Sequence, residues 1–168
     1  MKREPEGKVI EQFYERYFDS LMIIACSYTR NRDDAMDLVQ STFLKALLSY
    51  EENGSFLYWA NRVMRNDFYN QRKKQSKIAD DPIEDHHIES GEDLLDDYIH
   101  NEEKKRLAEM IAKLPEKYRD IMIESTYIGT SDETIAKDRA MSPANVRQIR
   151  SRGKKMLIKM MEGEDERS

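Results

Sequence analysis

The chain has 168 residues, 39% of them hydrophobic and 36% charged, with six Gly, four Pro, one Cys and a net charge of −5. Its longest apolar run, Leu21 to Cys26, is far too short to span a bilayer, and the N-terminus MKREPEGK lacks the apolar core of a secretory signal. A single thiol makes no internal disulfide and no cysteine zinc site, so a helical protein of the cytoplasm is expected.

Ile10, Phe13, Tyr17, Leu21, Ile24 and Tyr28 recur every three or four positions and predict an amphipathic helix over roughly Lys8 to Arg30. After the turn Asn31-Arg32-Asp33, Asp33 or Asp34 can cap a second helix that buries Ala35, Leu38, Val39, Thr42, Ala46 and Leu47. Asp34, Asp37, Gln40, Ser41 and Lys45 fall on its outer side. Asn53-Gly54 breaks the pattern, and Ser55 caps a third helix reaching about Lys74. Its inward stripe is Phe56, Trp59, Ala60, Val63 and Met64. On another face Tyr58, Arg62, Arg65, Tyr69 and Arg72 alternate rings with cations. That pattern suits a single strand of nucleic acid, because cations meet phosphates while rings accept unpaired bases. It equally fits a solvated charged face with tyrosines lying across their neighbours.

Ser76 to Glu92 has no helical period and reads as a linker. Charge divides around it. Ser55 to Lys77 holds six Lys/Arg against one Asp, Ala79 to Glu103 holds eleven carboxylates and no Lys or Arg, and Ser142 to Met161 holds six Lys/Arg and no acid. The acidic average therefore hides two basic segments. His86, His87 and His100 lack fixed geometry and a cysteine partner, so no metal is expected. Neither a phosphate loop nor a nucleophile–base pair marks an enzyme, and no cofactor is expected.

The apolar pattern resumes at Leu94, Leu95, Tyr98 and Ile99 and runs on through Leu107, Met110 and Ile111 to Leu114-Pro115, which ends one helix and opens the next. Gly129 is a C-cap beyond Ile128. Thr130 with Glu133 reads as the capping box of a short helix burying Ile135 and Ala136. Ser142 before Pro143 starts another, apolar at Val146, Ile149, Met156 and Leu157 and basic at Arg147, Arg150, Arg152, Lys154 and Lys155. Two capped helices across a tight turn, the second basic, form a helix-turn-helix whose second member enters a major groove. The bland alternative is a solvated helix closing a bundle. Glu162 to Ser168 reads as a frayed end. The sum is an all-α chain of two small helical domains, 1–75 and 93–168, joined by an acidic linker at 76–92.

Three segments, in order, resemble one family. DDAMDLVQSTFLKAL (Asp33 to Leu47) is similar to the polymerase-binding helix of extracytoplasmic-function (ECF) sigma factors, and SFLYWANRVMRNDFYNQRKK (Ser55 to Lys74) to their promoter-melting helix. Lys113 to Leu157 resembles their C-terminal domain. The resemblance implies a dissociable transcription initiation factor. Domain 2 (1–75) would hold the clamp helices of the largest catalytic subunit of core RNA polymerase and open the minus-ten element. Domain 4 (93–168) would bind the polymerase flap and read the minus-thirty-five element as duplex. By position, Asp34, Asp37, Gln40 and Phe43 fall on the polymerase contact. Asn66 falls where a flipped base is captured, together with the Tyr50 to Gly54 loop that contains Asn53. Arg147, Gln148, Ser151, Arg152 and Lys154 fall on the duplex-reading helix. An anti-sigma factor is a further implied partner.

The chain departs from the family pattern in three places. Ala140 stands where Gly is usual, Asp138 where an aliphatic residue is common, and Ile149-Arg150 reverses the usual basic-then-aliphatic order, leaving open which of the two faces DNA. The rival reading is an autonomous helix-turn-helix repressor or activator, which would need a dimer surface along Asp34 to Leu47. Seventeen flexible linker residues have an r.m.s. span of about 23 Å, against roughly 58 Å between promoter elements about 17 base pairs apart. The isolated chain is therefore expected to bind promoters poorly until polymerase holds its halves apart.

Overall fold

The computed structural model describes residues 6–51, 54–78 and 94–167. Seven α-helices carry the fold, with no strand among the described residues: α1 (Glu6–Thr29), α2 (Arg32–Ser49), α3 (Phe56–Ile78), α4 (Glu102–Lys113), α5 (Glu116–Met122), α6 (Asp132–Asp138) and α7 (Pro143–Arg167). They divide between two compact units that part after Lys105.

In the first unit α1, α2 and α3 pack on one another. Every residue from Leu21 to Tyr28 is buried, so the middle of α1 is the centre of this core rather than one wall of it. Arg30 then takes a left-handed turn (φ 52°), and Asn31, not Asp33 or Asp34, caps α2 by accepting from the Asp34 N–H at 3.0 Å. The correction has a simple cause: the helix begins at Arg32, so both aspartates are already inside its first turn, where they favour the positive end of the helix dipole. Ser55 caps α3 as expected, accepting from the Tyr58 N–H at 3.2 Å. Rings close the end of the unit beside this cap, with Phe56 stacked on Phe13 (4.7 Å) and Phe43 (5.8 Å) and Tyr50 against Trp59 (5.1 Å). Deeper in, the Tyr28 hydroxyl donates to Asn61 Oδ1 at 2.7 Å, satisfying a polar side chain that α3 buries completely.

Leu94 to Ile99 does not open the next helix. Leu94, Leu95 and Ile99 are buried in the first unit, each leucine contributing about 1.5–3 kcal/mol of transfer free energy. Arg32 holds the segment from three sides: it donates to the Leu94 carbonyl (3.3 Å), pairs with Asp97 (3.2 Å) and lies over the Tyr98 ring. Burial raises the Tyr98 phenol above its ordinary pKa, with Arg32 pulling the other way. Asn101 then caps α4 afresh, accepting from the Lys104 N–H at 3.0 Å. The linker boundary shifts as well, since α3 runs on through Ser76 to Ile78, while 79–92 lies outside the described residues.

The second unit contains the helix-turn-helix. Pro115 separates α4 from α5, which passes without a break into a π-helical turn, Ile123–Ile128, closed by Gly129 at φ 79°. The expected C-cap is met. The cap of α6 sits one residue later than the capping box implied: Ser131, not Thr130, accepts from the Thr134 N–H, and the Thr130 N–H goes back to the Glu124 carbonyl. Ser142 caps α7 at Asn145 N–H (3.1 Å), with Pro143 in the first helical position. Between them Ala140 adopts φ 52°, the left-handed conformation for which Gly is the usual choice, and the Met141 N–H closes the turn on Ala136 O at 3.0 Å. Asp138 is exposed at the end of α6 and removes nothing from its buried side, which Ile135 and Ala136 supply. Ile121, Ile135, Ala136, Val146 and Ile149 form the core. Gly153 lets α7 approach α5, since a Cβ there would lie 3.1 Å from Met122 Cγ. The helix continues to Arg167, so the end expected to fray is helical.

Candidate nucleic-acid interface

Two basic surfaces and one apolar one stand out. On α7, Arg147, Gln148, Ser151, Arg152 and Lys154 are all exposed, while Val146, Ile149, Gly153 and Leu157 are buried opposite them. At 3.6 residues per turn the five span roughly 160° of the helix circumference, one continuous face. Core packing orients it, because Val146 and Ile149 anchor on α6 and fix which way the arginines point. Behind the turn the half-buried Arg139 guanidinium donates to Glu124 Oε1 at 2.8 Å, tying the end of α6 to the π-helical turn. Of the reversed pair, Ile149 fills the core and Arg150 turns back to the Asp132 carboxylate.

On α3, Tyr58, Arg62, Arg65, Asn66, Tyr69 and Arg72 occupy roughly 120° of the helix. Asn66, placed there by family position alone, lands among the others on this stripe. Arg62, Asn66 and Arg72 are exposed; Tyr58, Arg65 and Tyr69 are half-buried. The Arg65 guanidinium lies 5.6 Å over the Tyr69 ring, and that of Arg72 lies 5.8 Å over Phe68. Asn53 lies outside the described residues.

The α2 surface corrects the sequence reading twice. Phe43 is only 6% exposed, held by Tyr14 (4.8 Å) and Phe56, so it supports the surface from beneath instead of presenting itself. Leu47, expected inside, is 44% exposed, beside Leu44 at 59% and Leu48 at 78%. Asp37 and Gln40 are exposed and Asp34 half-buried on the same helix. Three exposed leucines within five residues form an apolar patch that scattered surface residues do not explain. Leu44 and Leu48 fall outside the buried set expected from periodicity, whereas Leu47 falls within it.

Family profiles match both halves: Sigma-70 region 2 over residues 13–78 and Sigma-70, region 4 over residues 104–157. The ECF RNA polymerase sigma factor SigE of Mycolicibacterium smegmatis is 24% identical over 88% of this chain and 59% of its own length. SigM of Bacillus subtilis, also an ECF RNA polymerase sigma factor, is 28% identical over 67% of this chain and 71% of its own.

The chain belongs to the ECF sigma factors.

RNA polymerase sigma factor SigZ of Bacillus subtilis is 24% identical over 92% of this sigma factor and 88% of its own length. The chain thus spans less than two thirds of SigE but most of SigZ. In fold it is similar to the sigma factor RpoE of Bartonella quintana, solved with the anti-sigma factor NepR, at a TM-score of 0.69 and 23% identity over 92% of this chain and 98% of that one. Among the described residues no helix is long and apolar enough to cross a membrane.

Proposed function

We propose that this sigma factor initiates transcription from the cytoplasm by a three-way division of labour, without catalysis of its own. The α2 surface, Asp34, Asp37 and Gln40 with the exposed Leu44, Leu47 and Leu48, binds the clamp helices of core RNA polymerase. The α3 stripe, with Asn53 and Asn66, holds the melted minus-ten strand. The α7 face reads the minus-thirty-five duplex while the second unit engages the polymerase flap. The division of labour belongs to this reading, with the polymerase and minus-ten surfaces within residues 1–75 and the minus-thirty-five surface within 93–168. The observation that carries it is the pairing of two chemically different basic faces in one chain, one with rings and one without. Unstacking a base costs a few kcal/mol, and aromatic stacking returns about 1–3 kcal/mol per base, so only the ringed face suits unpaired DNA.

An anti-sigma factor fits the same scheme, because covering an apolar polymerase contact would silence the protein; RpoE of Bartonella quintana is itself held by one. An autonomous repressor would need α2 as a dimer interface. Run-off transcription with purified core polymerase and a fragment library separates the two. Added chain is expected to give discrete start sites, and Leu48→Asp to abolish them; a stable dimer by light scattering with no effect on polymerase would leave the repressor standing.

A further inference from the structure

We infer that Asp132 restrains Arg150 and thereby sets the strength of duplex binding by α7 without setting its sequence preference. The inference rests on the reading that α7 enters the groove. Arg150 lies one turn from both Arg147 and Lys154, at the edge of the exposed face. Ile149 is committed to the core, so Arg150 is the member of the reversed pair able to approach DNA. Its Nη1 is paired with Asp132 Oδ1 across the two helices of the motif.

The two partners are not equally movable. Asp132 stands in the first turn of α6, where the helix amides favour a carboxylate, and its side chain is 13% exposed against 38% for Arg150. The acid is the fixed member and the arginine the mobile one. When a helix-turn-helix docks, its first helix crosses the phosphate backbone, which brings Asp132 towards like charge. Arg150 cancels that repulsion, and a guanidinium so engaged releases no counterion of its own. The pair contributes nothing net, which leaves sequence choice to Arg147, Gln148, Ser151 and Arg152 and keeps non-specific affinity low.

The experiment is fluorescence anisotropy of the full chain on a short random-sequence duplex across a potassium chloride series. Asp132→Asn is expected to tighten binding several-fold at low salt and to steepen the slope of log K against log salt by about 0.9, the value of one phosphate contact. Arg150→Gln is expected to weaken binding several-fold and flatten the slope, and the double variant to return to the parent on both counts. Weaker binding by Asp132→Asn, or an unchanged slope, overturns the inference, as does a double variant that binds like Arg150→Gln. Arg147→Ala in parallel tests the underlying reading: if its slope matches the parent, α7 does not face DNA, whatever the Asp132 result.

Discussion

The α3 stripe and the α7 face both present arginines on one side of a helix, yet they hold them differently. On α3 the guanidiniums of Arg65 and Arg72 lie over the rings of Tyr69 and Phe68, so charge and aromatic surface share one shelf. On α7 the arginines stand exposed among Gln148 and Ser151, with no ring on the face. Rings are of use to a base whose flat side is uncovered, and extended guanidinium and amide groups to a duplex that shows only its edges. Under the proposed function, the contrast assigns the ringed stripe to melted DNA and the α7 face to paired DNA.

The comparison can be broken most sharply on α7. Replacing Arg147 and Arg152 together by alanine is expected to lower run-off transcription from a duplex promoter about thirtyfold or more, since each edge contact is worth about 1–3 kcal/mol. Transcription from a template pre-melted at the minus-ten element should fall far less. Equal loss on both templates would mean the two faces are not distinct. Next comes Tyr69→Ala, expected to reduce permanganate reactivity of the melted strand about ten- to a hundredfold, the loss of one stacked base. Salt-dependent duplex binding through α7 should stay as in the parent; unchanged reactivity removes the ring from the account.

A third test concerns the platform beneath the stripe. Asn61→Leu removes the buried hydrogen bond from the Tyr28 hydroxyl and is expected to destabilise the first unit by about 1–3 kcal/mol in urea. The second unit's transition should not move. The smallest effect is predicted at the turn: Ala140→Gly relieves a left-handed alanine and is expected to stabilise the second unit by about 1 kcal/mol at most, with duplex affinity held constant. Destabilisation instead would show that the alanine methyl is needed where it is.

Much of this arrangement was legible in the residues. Periodicity placed most helices because they bury one stripe, although the middle of α1 is buried all round, and Ser55, Ser142 and Gly129 marked boundaries through chemistry that acts within a few residues. What local chemistry could not decide was competition between neighbours. Thr130 and Ser131 both offer a capping hydroxyl, and the one that serves depends on Thr130 being drawn back to Glu124 by the π-helical turn. Phe43 and Leu47 lie four positions apart on α2, and the aromatic cluster from α1 and α3 chose Phe43 for the interior. Arg150 was undecided for the same reason, since Asp132 is distant along the chain and near only after folding. The basic stripes on α3 and α7 could be read from spacing, with Asn66, Gln148 and Ser151 added by the family resemblance, whereas the leucine patch on α2 emerged only once the partners that failed to cover it were in place.

The docking of Leu94 to Ile99 on Arg32 bears on how such proteins can be recombined. A chimera that exchanges halves between relatives at the end of α3 would part the N-terminal half from its own two leucines, isoleucine and the carboxylate that Arg32 grips, and leave that packing to whatever the other relative supplies. The graft point that respects the packing lies after Lys105, so inheritance of a new promoter preference by exchange of the second half is easiest when the crossover falls inside α4.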